Sequence, residues 1–357
     1  MFSSLEVVKK AAKKIQLSSR AGHVLRLAAV ASLLAAVSVS AQAPLDVRVA
    51  LIIGNSAYAG NMALVNPAND AKAMSALLTK TGFSVTEVRD TTHVQLSDAV
   101  AKFGLFYYAG HGLQLEWKNY LVPVSADVRS AEGVKAKAVD VSALLSYTEE
   151  AKGRTFIVIL DACRDDPFAG LYKPSAAGLS QFDAPAGSLL AFSTSPGKVA
   201  VDSVGSNGLY TENLVREFGV QGVRLEDAFK RVRLSVRMAS NGAQIPWEST
   251  SLEEDVFVFP TEKVKLTEAQ QDQLLEQEFA SWQRVRASRS SDELAGFIRQ
   301  YPSGSASELA QARLSRLLNE IAVQNGARQR TAALDAERAD ARAEAEKKTI
   351  VRRARLK

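Results

Sequence analysis

From about residue 48 to residue 260 the chain alternates short runs rich in β-branched and aromatic residues with longer segments whose apolar positions recur every three or four residues. The short runs are RVALIIG (48–54), FSVTEV (83–88), GLFYYAG (104–110), TFIVIL (155–160), GSLLAFST (187–194) and DVFVFP (255–260), and they read as strands. Between them, PANDAKAMSALLTKTG (67–82), a short segment around 94–103, VDVSALLSYTEEAKG (139–153), NGLYTENLVREF (207–218) and LEDAFKRVRLSVRMA (225–239) carry helical spacing. Strands that are largely apolar along their length and separated by helices predict an α/β domain, a mostly parallel six-stranded sheet sandwiched by helices. In such sheets reactive residues gather beyond the carboxyl ends of the strands.

Beyond Pro260 the strand signal stops. Residues 276–317 read as two or three short helices broken at Tyr301-Pro302-Ser303-Gly304, and this stretch resembles a single helical hairpin of the tetratricopeptide kind. From about residue 327 the chain is dominated by Ala, Arg and Glu, the pattern of a solvated helix or frayed tail. The expected organisation is a signal at 1–43, an α/β domain at 44–262, an all-α helical region at 263–325 and a charged helical tail at 326–357, with the helical region available to a protein partner.

The signal rests on Lys9, Lys10, Lys13, Lys14, Arg20 and Arg26, then the apolar stretch at 27–39, then Ala41-Gln42-Ala43. A positive start, a short apolar centre and a small-residue site predict cleavage after Ala43, an uncleaved anchor being the alternative. The mature protein is therefore expected to be secreted or periplasmic, in a compartment where cysteines are usually paired or absent. Composition is otherwise that of a soluble protein, 46% hydrophobic and 23% charged over 357 residues. The net charge of +5, without basic and aromatic interleaving, gives no nucleic-acid surface. One cysteine and three histidines exclude a zinc-binding spacing.

That one cysteine, Cys163, ends an apolar run in TFIVILDACRDDPF, and His111 follows another in LFYYAGHG. A thiol attacks a carbonyl as thiolate and so needs a neighbour that takes its proton. His111 is the candidate base, because His23 falls in the signal and His93 in a polar stretch. If the two strands are neighbours, the pair lies side by side across ~5 Å. Gly110 and Gly112 are expected to let the backbone turn beside the histidine, and the N–H groups of Gly112 and Cys163 to cradle an oxyanion. The bland readings are a buried structural cysteine, a loop histidine held by its glycines, a strand-end carboxylate at Asp161 and a helix cap at Asp70.

The segments RVALIIGNSAY, NPANDAKAM, LFYYAGHG, NYLVPVSADV, VILDACRDDPF, LLAFSTSPGKVAVD and QIPWESTSL together resemble caspase-like cysteine peptidases of the metacaspase and bacterial type, over about residues 48–259. The resemblance implies a caspase-type fold, a His111–Cys163 dyad and an oxyanion site at Gly112 and Cys163. It also implies an acidic pocket for Arg or Lys before the scissile bond, built from Asp70 and Asp161, with Ala109 at a position where the family carries serine. Two carboxylates around a guanidinium give charge-assisted bonds that an aspartyl substrate cannot make. The substrates expected are proteins or peptides with basic residues, with no cofactor. Calcium, used by some metacaspases, is left open, since Asp165 and Asp166 lack a recognisable oxygen-ligand loop. Between Asp90 and Tyr108 the helix and connector are shorter than the family pattern, which keeps a catalytically weak or inactive scaffold as the alternative to the peptidase.

Overall fold

The computed structural model describes residues 48–99, 103–128, 130–150, 154–163, 179–180, 183–195, 205–261 and 266–355. The expected signal lies outside these residues, as do most of the segments at 164–186 and 195–206. In chain order the elements are β1 (Val49–Gly54), α1 (Pro67–Lys80), β2 (Ser84–Arg89), α2 (His93–Ala99), β3 (Leu105–Leu115), β4 (Lys118–Leu121), α3 (Ala131–Lys137), β5 (Val139–Asp140), α4 (Val141–Glu150), β6 (Phe156–Cys163), β7 (Ser188–Phe192), α5 (Leu209–Phe218), α6 (Leu225–Ala239), β8 (Trp247–Thr250), α7 (Glu268–Val285), α8 (Ser291–Gln300) and α9 (Ser307–Arg355).

The main sheet runs β2-β1-β3-β6-β7-β8, parallel except for the β7–β8 pair, and β4 with β5 extends it beyond β3. Its two faces divide the strand residues by parity, as a doubly covered sheet must. Ala50, Ile52, Leu105, Tyr107, Ala109, Ile157 and Ile159 pack with Ala71, Met74 and Leu78 of α1 and with residues of α5 and α6. Leu51, Ile53, Phe106, Tyr108, Val158, Leu160 and Ala162 pack on the other side with Leu96 of α2 and Leu144 of α4. The α/β prediction holds, with the sixth strand of the main path misplaced.

That strand is Trp247–Thr250, antiparallel to β7, and not DVFVFP. Segment 255–260 forms only an isolated bridge between Phe257 and Arg224. Its carbonyls are taken elsewhere: Arg48 donates to Phe257 O and Val258 O, Leu225 N–H to Val256 O and Gly222 N–H to Phe259 O. Backbone groups satisfied by a guanidinium and a loop leave nothing for a ladder.

The three C-terminal helices are docked. Leu294, Phe297, Ile298, Ala310, Leu314 and Leu318 form one cluster with Leu234 of α6, and Met238 packs against it. Lys230 and Arg237 of α6 bond Ser303 at 2.6 Å and Ser315 at 2.8 Å. α9 continues as one helix through residue 325 to Arg355, exposed at nearly every position between 319 and 342. Among the described residues no helix is long and apolar enough to cross a membrane.

Candidate active site

Strands β3 and β6 are hydrogen-bonded neighbours, and their register sets His111 opposite Cys163, Gly110 opposite Ala162 and Ala109 opposite Asp161. Both residues of the expected dyad lie within strands, a correction to the reading that placed them just past strand ends. β3 extends four residues beyond His111, because β4 folds back on it through a hairpin at Glu116 and Trp117 and pairs Gly112 with Leu121. Cys163 is the last residue of β6.

His111 is only 4% exposed. Its Nε2 lies 2.7 Å from the Met62 carbonyl, and its ring packs against Tyr58 with centroids 4.3 Å apart. A carbonyl oxygen only accepts, so Nε2 carries the proton of that bond and Nδ1 holds the lone pair of the neutral ring. A loop histidine held by glycines is therefore not what the chain builds. The glycines serve close approach instead of a turn. A Cβ on Gly110 would stand 2.8 Å from the hydroxyls of both Tyr58 and Tyr108, and one on Gly112 would stand 2.8 Å from the Cβ of Ala162.

On the face of the sheet shared with α1 and α5, two carboxylates converge. Asp70 is buried in the first turn of α1, yet it does not cap that helix. Its Oδ1 accepts from Asn207 Nδ2 and from the Gly208 N–H, each at 2.9 Å, and Gly208 is the N-cap of α5. Asp161 Oδ2 accepts from Thr211 Oγ1 at 2.7 Å, and the Tyr107 hydroxyl lies 2.5 Å from that same Thr211 oxygen. A Cβ built on Gly208 would fall 3.2 Å from Asp70 Oδ2 and 3.7 Å from Asp161 Oδ2, so both oxygens border one space. Ala109, 1% exposed, lies beside Asp161 in the register and leaves that side of the space apolar.

A buried acid and a half-buried one this close cannot both ionise freely. Burial first, then the charge of Asp161, pushes Asp70 up to about 7. Burial also raises Asp161, against the lowering effect of its hydrogen bond from Thr211. The N-terminus of α5, whose Gly208 N–H donates to Asp70 and whose dipole end is positive, faces the pair and offsets part of that cost.

Sequence reasoning missed Asn207, Gly208, Thr211 and Tyr107, and the Met62 carbonyl. The one available signal was that a pair of carboxylates drawn out of water requires donors, and the polar opening of the helix at 207–218 is where they stand. Among the described residues no group of three or more His, Cys, Asp or Glu is placed to hold a metal ion, and Asp165 and Asp166 lie outside those residues.

Two curated proteins similar to this chain are the mucosa-associated lymphoid tissue lymphoma translocation protein 1 of Homo sapiens and its Mus musculus homolog. Each is 31% identical over 128 residues, 33% of this chain. The chain spans only 15% of the length of either relative. The caspase-domain family profile covers much more, residues 47–257, which contain all eight strands, the His111–Cys163 register and both converging carboxylates. The chain belongs to the caspase-domain peptidase family.

Proposed function

We propose that this protein is a cysteine endopeptidase that cleaves peptide bonds after Arg or Lys, with His111 and Cys163 as its dyad. The observation that carries the reading is the β3–β6 register, which pairs the backbone position of Cys163, the one cysteine in the sequence, with that of His111, whose imidazole is buried and oriented, and Ala109 with Asp161. Nδ1 of His111 takes the thiol proton, and the thiolate attacks the carbonyl carbon after the basic residue. His111 then gives that proton to the departing amine, and water releases the acyl group from sulfur.

Even-numbered β3 residues direct their backbone groups at β6, as the bond from Ile157 N–H to Gly104 O at 2.8 Å fixes. The N–H of Gly112 is thus aimed at the Cys163 end of β6. An oxyanion held there by the N–H groups of Gly112 and Cys163 takes the place of the last rung of that ladder. The substrate's guanidinium or ammonium sits between Asp70 Oδ2 and Asp161 Oδ2, and its charge compensates the pair that burial makes costly.

Fluorogenic peptides ending in Arg, Lys or Asp, offered with and without calcium, test this. Turnover of the Arg and Lys peptides is expected, and Cys163→Ala should lower kcat on the order of 10³-fold or more. Turnover after Asp would refute the pocket. No turnover of any peptide would favour the inactive scaffold.

A further inference from the structure

Odd-numbered β3 residues direct their backbone groups toward β1, whose neighbouring segment makes its last rung through the Asn55 N–H to Ala109 O at 2.9 Å. The next N–H on that side belongs to His111, and β1 has already ended. Tyr58 supplies the missing partner. Its hydroxyl accepts the His111 N–H at 2.9 Å and donates to Val122 O at 2.8 Å. Its ring is the one packed on the imidazole, and the whole side chain is 5% exposed. The carbonyl of the same histidine is held by the Tyr108 hydroxyl at 2.8 Å and the Val122 N–H at 3.0 Å.

Tyr58 stands on a loop, residues 55–64, that is itself pinned. The Asp90 carboxylate accepts the N–H groups of Ser56 and Ala57, both at 2.8 Å, and Asn55 Oδ1 accepts the Thr91 N–H at 2.8 Å. Asp90 does this from a left-handed backbone, φ 50°. The loop also carries Met62, so a single loop fixes the histidine's peptide through Tyr58 and its ring through the Met62 carbonyl. The charged and titratable neighbours of this arrangement are Tyr58, Tyr108 and Asp90; burial above all pushes the Tyr58 hydroxyl up to about 12, so it stays a neutral donor.

We propose that Tyr58 is a positioning residue for His111. Its hydroxyl replaces the absent sheet rung, and its ring is the wall against which the imidazole is set. This rests on the reading of His111 as the base of Cys163, and the test separates the two.

Cys163 is the only cysteine, so iodoacetamide alkylation followed against pH reports that thiol alone. In the wild-type protein the midpoint of the rate is expected well below the ~8.5 of a free cysteine, and His111→Ala should return it to about that value. Tyr58→Phe keeps the ring and removes the hydroxyl. It should move the midpoint up toward that of His111→Ala and lower kcat about ten- to a hundredfold with KM unchanged, because the base is present but misplaced. Asp90→Asn weakens the loop's anchors without touching His111 and should move the midpoint the same way by less. A wild-type midpoint near 8.5 removes the base reading and this proposal with it. A low wild-type midpoint, unchanged in folded Tyr58→Phe or, should that variant not fold, in Asp90→Asn, overturns the positioning role and leaves the dyad standing.

Discussion

Asp70→Asn is expected to raise the melting temperature at pH 8 by a few degrees and, in the same protein, to lower kcat/KM for an arginyl peptide on the order of 10²-fold. Both effects come from one cause, the buried carboxylate of Asp70 beside Asp161. Because Asp70 is raised to about 7, the folded protein holds that proton more tightly than the unfolded chain does. The contribution of this group to stability is therefore complete at acid pH, below about 4, and is lost as pH rises through about 7. At pH 8 the folded chain carries the poorly solvated charge of Asp70 beside Asp161; the amide removes that charge and keeps an oxygen to accept from Asn207 and Gly208. Below about pH 4 Asp70 is neutral in the folded and the unfolded chain alike, so wild type and variant should melt together there, and the gap between them should open as pH rises toward 7.

Activity has the opposite sign. A guanidinium loses one of its two charge-assisted partners, a loss of about 2–3 kcal/mol, or on the order of 10²-fold. The same titration requires kcat/KM of the wild type on Arg peptides to decline as pH falls below about 7. A variant less stable than wild type at pH 8, or equally active on Arg peptides, would show that Asp70 serves only to hold the start of α5.

Gly208→Ala is the second large effect, and it separates the pocket from the dyad. The backbone at Gly208, φ −61° and ψ 146°, is open to any residue, so the substitution brings no backbone strain. As an N-cap, Ala is poorer than Gly by about 1 kcal/mol or less. Its methyl, however, stands 3.2 Å from one pocket oxygen and 3.7 Å from the other, in the space a basic side chain must enter. Turnover of Arg and Lys peptides should fall on the order of 10²-fold, since charged hydrogen bonds to both carboxylates are blocked. Alkylation of Cys163 by iodoacetamide, which needs no pocket, should be unchanged. Parallel losses in both assays would mean that the substitution disturbs the sheet and not the pocket alone.

The parts of this molecule written in local pattern were legible from the chain. Leu51, Ile53, Phe106 and Tyr108 alternate with Ala50, Ile52, Leu105 and Tyr107, and that double apolar register required a sheet covered on both faces. Each of His111 and Cys163 follows an apolar run, and the adjacency of β3 and β6 sets the two opposite each other in the register. The failures were tertiary. DVFVFP has strand composition, yet Arg48, some two hundred residues earlier, takes two of its carbonyls. The hairpin that lengthens β3 turns at Glu116 and Trp117 with positive φ at both, residues that give no turn signal, so the extension past His111 was invisible. Asp70 sat at a helix start and read equally well as a cap. Only the approach of Gly208 from a distant helix decided that it caps α5 and faces Asp161.

A peptidyl-arginine acyloxymethyl ketone, an electrophile that a thiolate captures only when the pocket holds the arginine, tests dyad and specificity in one reaction, read by intact mass and peptide mapping. A single adduct on Cys163, formed far faster than with the aspartyl analogue and slowed both in Asp161→Asn and in His111→Ala, is what a base-activated thiol beside an acidic pocket must give. Equal labelling by the two reagents, or no adduct on the folded protein, would contradict it.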